Sequence, residues 1–134
     1  MRLCWRKHQR VVREQDFKAV LSRKCFVCNG IMRLYAAANG LDTVRLGVSV
    51  GRKCGTAVRR NRLKRLAREV FRLHQHDLPP GRDYILIFAS SKPIKKDPSR
   101  EDLSFKAFER RILEMVNLLS KKSCFKIENE FRQD

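Results

Sequence analysis

The feature that most constrains this chain is a run of cationic residues with helical spacing between Gly51 and His76. Its apolar residues recur at intervals of three and four, which predicts a helix with one side against a core. That apolar stripe consists of Leu63, Leu66, Ala67, Val70, Phe71 and His74. Nine lysines and arginines share the run with a single acid, Glu69. We therefore predict a long helix that buries one side and turns a cationic side outward.

The start of this helix is marked by Thr56, whose side chain can accept a hydrogen bond from the first exposed backbone amides. Gly51 and Gly55 let the preceding loop bend into the helix. Several cations then crowd the first turns, where the helix dipole disfavours them. An anionic partner is expected to compensate.

The cationic side carries charges of nearly one sign. Such charges repel each other unless a polyanion neutralises them, whereas a mixed-sign surface is usually only solvated. The whole chain has 31 Lys and Arg against 14 Asp and Glu, a formal net charge of +17. This balance favours fast, salt-sensitive association with RNA or DNA, and composition does not distinguish the two.

The 134 residues fit one domain, and a hydrophobic fraction of 43% is too high for a disordered basic tail. Within this single domain, 1–134, we expect a basic segment over 1–13, extended along the domain edge, and a frayed tail over 121–134. No run approaches the ~18 apolar residues of a membrane span, and no secretory signal pattern is present. We therefore expect a cytoplasmic protein without a membrane partner.

Helix and strand patterns alternate along the rest of the chain. A short helix begins at Glu14, followed by strands at residues 31–37 and 43–50, which a turn at 39–42 is expected to join as an antiparallel hairpin. A nearly continuous apolar strand at 83–89 should be central or covered on both faces. The last helix has a long apolar stripe formed by Phe105, Phe108, Ile112, Met115, Val116 and Leu119.

With one further short strand, expected between the second strand and the basic helix, these elements give the order α-β-β-β-α-β-α. The predicted fold class is α+β, a two-layer sandwich in which a mixed sheet of about four strands carries helices on one face. Periodicity does not reveal the order of the strands in the sheet.

Cysteines and acids argue against a self-contained active site. Cys25 and Cys28 have metal-knuckle spacing, but no second ligand pair matches it, so reduced thiols are expected and a metal role for this pair stays open. Glu69 is the only acid between residues 43 and 76, whereas a nuclease acting alone needs clustered carboxylates for magnesium. We predict no catalytic residue and no metal ligand in this chain.

The chain resembles the protein subunit of bacterial ribonuclease P from about His8 to Leu119. The resemblance rests on residues 60–71 (RNRLKRLAREVF), preceded by 45–50 (RLGVSV) and 55–58 (GTAV), with supporting matches at Asp16-Phe17, Leu34-Tyr35 and 83–87 (DYILI). It implies a left-handed crossover between the strands before and after the basic helix, against the usual rule. It also implies a protein that assists a catalytic RNA in removing the 5′ leader from precursor tRNA by phosphodiester hydrolysis.

The resemblance further implies the partners and the site residues. The partners would be ribonuclease P RNA and precursor tRNA, with Mg²⁺ held chiefly by the RNA and no obligate protein partner inferred. The residues facing RNA would be Lys53, Arg60, Asn61, Arg62, Lys64, Arg65 and Arg68. A cleft for the single-stranded leader would be lined by Phe17, Leu21 and Tyr35, although Leu21 departs from the aromatic residue often found there.

The residues by themselves support one part of this cleft. Phe17 and Tyr35 can stack on single-stranded bases if they lie beside the basic helix. Core packing is the alternative for Phe17, whereas Tyr35 lies on the polar side of its strand.

Three other classes of protein remain as alternatives. A structural RNA-binding protein, such as one embedded in a ribosome, would share the charge pattern. A helix-turn-helix DNA-binding protein would use the basic helix for recognition, although no short helix precedes it. An intrinsic nuclease would cleave precursor tRNA without RNA.

Overall fold

The computed structural model describes residues 9–29, 32–88, 105–122 and 124–125. Four strands and three α-helices follow one another in the predicted order α-β-β-β-α-β-α. The elements are α1 Glu14–Ser22, β1 Phe26–Asn29, β2 Met32–Ala38, β3 Arg45–Val50, α2 Ala57–His74, β4 Arg82–Phe88 and α3 Phe105–Ser120. A short 3₁₀ turn, Arg52–Cys54, precedes α2. The further short strand is β1, which precedes the two predicted strands, so its expected place between the second strand and the basic helix is wrong.

The four strands form one mixed sheet in the order β1-β2-β4-β3. β4 pairs antiparallel with β2, and parallel with β3. The expected antiparallel hairpin of β2 and β3 is therefore wrong, because β4 lies between them. The most apolar strand takes the central position, where neighbours cover both its edges and both its faces.

The parallel pair β3 and β4 is joined through α2, as the resemblance implies. The handedness of this connection stays a prediction.

Helices cover both faces of the sheet. α2 and α3 pack on the face that carries Tyr84, Leu86 and Phe88 of β4. α1 packs on the opposite face, where Ile85 and the half-buried Ile87 alternate with them. The expectation of helices on one face thus holds for α2 and α3 but not for α1. Because β4 is apolar on both sides, both sides need cover.

Residues 124 and 125, which follow α3, are held to the sheet. Cys124 forms a disulfide with Cys25 before β1, so the expectation of reduced thiols is wrong for these two cysteines. Phe125 is buried, and its carbonyl accepts a hydrogen bond of 3.3 Å from Arg82 Nη2. The predicted frayed tail is therefore wrong for residues 124 and 125. Sequence did not reveal the pairing, because the two cysteines lie 99 residues apart.

At the other end of the described chain, Arg10 and Val11 lie beside β3, at the edge that faces away from β4. Arg10 forms a parallel bridge with Leu46, and the Val11 amide donates a 2.9 Å hydrogen bond to the Leu46 carbonyl. Residues 1–8 of the basic N-terminal segment lie outside the described part of the chain.

The helices in the described ranges are all too short or too polar to cross a membrane.

One polar cluster fixes the ends of β3 and β4 to the connection between β2 and β3. Arg45 donates to both carboxylate oxygens of Asp83, at 2.7 and 2.5 Å. Asn39 donates to Asp83 Oδ1 at 2.9 Å and to the Thr43 carbonyl at 3.1 Å. Asp83 is buried, and its hydrogen bonds raise the pKa of Arg45. This cluster holds the turn at 39–42 against β4, whereas the sequence predicted that the turn would join β2 and β3 in a hairpin.

We predict that Asp83→Ala lowers the free energy of unfolding by about 2 to 4 kcal/mol, because it leaves the Arg45 guanidinium without its partner in a mostly buried site. Urea denaturation measures this loss. The exposed Asp42→Ala is the matched control and should stay within about 0.5 kcal/mol of the unsubstituted chain. Equal effects of the two substitutions would contradict the assignment.

Candidate nucleic-acid interface

The basic helix α2 begins as its sequence predicts. The Thr56 hydroxyl accepts a hydrogen bond of 3.3 Å from the Arg59 amide. Gly55 has a φ of 127°, in the region that favours glycine, and a Cβ there would lie 2.8 Å from Arg59 Cδ. Gly51, with a φ of −70°, has ordinary extended geometry, so only Gly55 supplies the special turn. The loop and cap together set where the helix starts.

The apolar stripe of α2 holds the helix against the sheet. Leu63, Ala67, Val70 and Phe71 are buried, and Leu66 is partly buried against the same core. His74 ends the stripe, with its Nε2 3.0 Å from Glu109 Oε2 of α3. The opposite side of α2 therefore faces outward, as predicted.

This outward side borders a groove of about 500 Å³. We call it the α2 groove. The residues that line it are Arg10, Asn61, Lys64, Arg65, Arg68, Glu69 and Arg72. Four of the seven residues predicted to face RNA are thus brought together. Arg10 is a residue that the sequence analysis missed, since nothing in its non-periodic segment indicated that it would reach α2.

The charges of the α2 groove are not balanced within it. Glu69 is the only acid among the described residues that line it, and this carboxylate accepts hydrogen bonds from Arg72 Nε, at 3.0 Å, and from Arg72 Nη2. These bonds hold the pKa of Glu69 below its ordinary value. Within the described ranges, Lys64, Arg65 and Arg68 make no ion pair. The groove is therefore a surface with unneutralised positive charge.

Arg68 is half-buried in the groove. Burial lowers the pKa of its guanidinium, and the nearby charge of Arg10 lowers it further. Both causes disfavour the charged form, so an anion beside Arg68 would relieve them.

The other predicted RNA-facing residues surround the groove without lining it. Lys53 is exposed in the 3₁₀ turn before α2, and Arg62 is exposed on one flank. Arg60 is half-buried on the other flank, and its Nε is buried without a hydrogen-bond partner among the described residues. The cationic surface is thus wider than the groove itself.

The predicted leader-cleft residues meet on the face of the sheet that carries α1, opposite to α2. Phe17, Leu21 and Tyr35 pack around a small core that includes Ile85, with Ile87 beside them. All three are half-buried, which leaves part of each accessible. Phe17 therefore serves the core and the surface at once, so neither of its two predicted roles excludes the other.

Gly47 of β3 makes room for the Phe17 ring. A Cβ at this position would lie 2.7 Å from Phe17 Cζ. The absence of a side chain thus lets α1 approach the sheet closely at this point.

Phe26 of β1 extends the aromatic surface and was not predicted. Its ring stacks on Tyr35 with centroids 4.9 Å apart. Arg33 and Lys122 place their cationic groups 5.9 and 5.7 Å from the Phe26 ring centroid. The alternation of Arg33 and Tyr35 in β2 indicated that this side of the strand carries an aromatic ring and a cation. The sequence did not identify β1 as the neighbouring strand, so Phe26 was missed.

The described residues contain no group of three or more His, Cys, Asp or Glu side chains that could hold a metal ion. Cys28 is a free, exposed thiol, so the metal knuckle considered for Cys25 and Cys28 does not form.

Fold and surface together define a small basic α+β domain with one cationic helical face and one apolar, aromatic face. The family model for ribonuclease P matches residues 5–121. The chain belongs to the ribonuclease P protein family.

Individual relatives agree with this membership. The chain is 31% identical over 125 residues to the ribonuclease P protein component of Maridesulfovibrio salexigens, covering 92% of this chain and 96% of that protein. It is 38% identical over 102 residues to the corresponding Shouchella clausii protein, covering 75% and 77%. The solved ribonuclease P protein from Thermotoga maritima superposes with a TM-score of 0.66 at 30% identity, covering 85% of this chain and 97% of that one.

Proposed function

We propose that this chain is the RNA-binding protein subunit of the ribonuclease P ribonucleoprotein. In this role it assists a catalytic RNA in the endonucleolytic removal of the 5′ leader from precursor tRNA, in the cytoplasm. Its partners are ribonuclease P RNA and precursor tRNA. Family membership supports the proposal, and the observation that carries it is the α2 groove. Among the described residues, its cations have no acid to neutralise them except Glu69, which is already bound to Arg72.

The protein contributes charge and position to this reaction. Two RNA molecules that approach each other repel, and a cationic surface between them reduces that repulsion. Asn61, Lys64, Arg65 and Arg68 in the groove, with Lys53, Arg60 and Arg62 around it, bind phosphates of the RNA subunit and the adjoining substrate. None of them donates a nucleophile.

Magnesium does not fit the described residues of this chain, because they contain no carboxylate cluster and the groove is cationic. We therefore assign the Mg²⁺ ions chiefly to the RNA subunit, and the protein favours their binding by lowering the repulsion between the RNAs.

The opposite face of the sheet takes the single-stranded leader. The aromatic rings of Phe17 and Tyr35 offer stacking surfaces for bases, and stacking tolerates any sequence because every base has a π face. Leu21 supplies an apolar contact where the family often has an aromatic residue.

A structural role in another ribonucleoprotein is disfavoured by membership of the ribonuclease P protein family. A helix-turn-helix protein is disfavoured by the fold, since α2 follows a strand and a 3₁₀ turn and packs against a sheet.

The direct test combines the protein with a bacterial ribonuclease P RNA and precursor tRNA at low Mg²⁺. We expect the protein to restore leader removal that the RNA alone performs poorly, as measured by the appearance of mature 5′ ends. The protein without RNA should not cleave. No rescue, or cleavage by the protein alone, would overturn the proposal.

Arg62→Ala and Arg68→Ala should each weaken binding to ribonuclease P RNA and flatten its salt dependence. Each lost phosphate contact removes about one unit from the slope of log K against log salt concentration. Filter binding over a salt series measures this slope. Arg110→Ala, which removes an exposed arginine from α3, is the control and should leave the slope unchanged; an unchanged slope in the α2 variants would argue against the contacts.

Tyr35→Ala should weaken binding of precursor tRNA to the holoenzyme by about 1 to 3 kcal/mol, the cost of one lost stacking contact. Binding of mature tRNA, which has no leader, should not change. Tyr35→Phe keeps the ring and is the matched control. Equal losses for precursor and mature tRNA would show that the ring does not contact the leader.

A further inference from the structure

Arg10 reaches the α2 groove from a part of the chain far from α2. Its backbone is fixed beside Leu46 by the parallel bridge, and the next residue, Val11, donates a hydrogen bond to the Leu46 carbonyl. The groove is therefore bounded by a helix on one side and by a strand-like segment at the sheet edge on the other. Core packing fixes the helix, and the bridge to β3 fixes the segment at the sheet edge.

Burial of Val11 sets the direction of Arg10. Val11 is 4% exposed and packs with Val20, Ala37 and Ile85 on the α1 face of the sheet. Successive side chains of an extended segment point to opposite sides. Because Val11 points to the α1 face, Arg10 points toward α2.

The pairing of Arg10 with Arg68 is electrostatically costly in the protein alone. The two guanidinium groups repel each other, and partial burial of Arg68 weakens the screening by water. No acid offsets them within the described ranges: Glu69 is bound to Arg72, and neither Arg10 nor Arg68 makes an ion pair. An anion between the two side chains would remove this cost.

We infer that Arg10 and Arg68 together bind one phosphodiester group of an RNA strand that lies in the α2 groove. This inference rests on the proposed function. A guanidinium presents two parallel N–H donors that match two oxygens of a phosphate, so two guanidinium groups from opposite sides can hold one phosphate. Lys64 and Arg65, which line the same groove, are available to neighbouring phosphates of the strand.

The test is a double-mutant cycle of Arg10→Ala and Arg68→Ala. Binding is measured over a salt series in two arms, ribonuclease P RNA and precursor tRNA, because either can supply the strand. A second cycle pairs Arg10→Ala with Arg62→Ala, on the flank of α2. Arg13→Ala removes an exposed arginine three residues away and is the matched control. Thermal melting confirms that each variant is folded.

Arg10→Ala and Arg68→Ala are each expected to weaken binding to one of the two RNAs about tenfold. The double variant should bind that RNA only slightly less tightly than the weaker-binding of the two single variants. It should also lose about one unit of salt slope, because the two side chains share one phosphate. The double variant of Arg10→Ala with Arg62→Ala should instead lose affinity by the product of the two single losses. It should also lose about two units of salt slope. Arg10→Lys should keep the slope but lose part of the affinity, since lysine lacks the paired donors.

Two results would overturn the inference and leave the proposed function standing. In the first, Arg10→Ala binds both RNAs like the unsubstituted chain while Arg62→Ala is weakened. In the second, the losses from Arg10→Ala and Arg68→Ala multiply and two units of slope are lost, which would place them on separate phosphates. Failure of the unsubstituted chain to bind either RNA would instead overturn the proposed function.

Discussion

The structure depends on the central position of β4. This strand is apolar on both faces, and it pairs with β2 along one edge and with β3 along the other. α2 and α3 pack against Tyr84, Leu86 and Phe88, whereas α1 packs against Ile85 and Ile87. Burial of both faces in one strand therefore determines which helices lie on which side. It also places the cationic surface and the aromatic surface on opposite sides of one sheet.

The cationic surface exists because packing outweighs repulsion. Like charges along α2 destabilise the helix, most of all near its N-terminus, by a few tenths of a kcal/mol each. Burial of a side chain such as Phe71 or Leu63 contributes about 1.5 to 3 kcal/mol. Four buried residues on the inner side of α2 thus hold the charges in place before any RNA arrives. A surface that is already ordered loses less entropy on binding.

The segment before α1 links the two surfaces. Val11 belongs to the core under α1, and the adjacent Arg10 lines the groove beside α2. An RNA strand bound by Arg10 would thus lie at the edge of β3, beside the strand over which the Phe17 ring packs at Gly47. The same edge borders both the α2 groove and the face proposed for the leader.

The sequence by itself determined the helices, most of the strands and the outward direction of the cationic side of α2, because these follow from local periodicity and from Thr56 as a cap. Resemblance added the family and its site residues. Tertiary structure alone decided that β4 separates β2 from β3, that α1 lies opposite the other helices, that Cys25 meets Cys124 and that Arg10 joins Arg68. Each of these depends on which distant segments lie side by side. Periodicity reports only which side of an element is apolar, and many distant surfaces can satisfy the same apolar side.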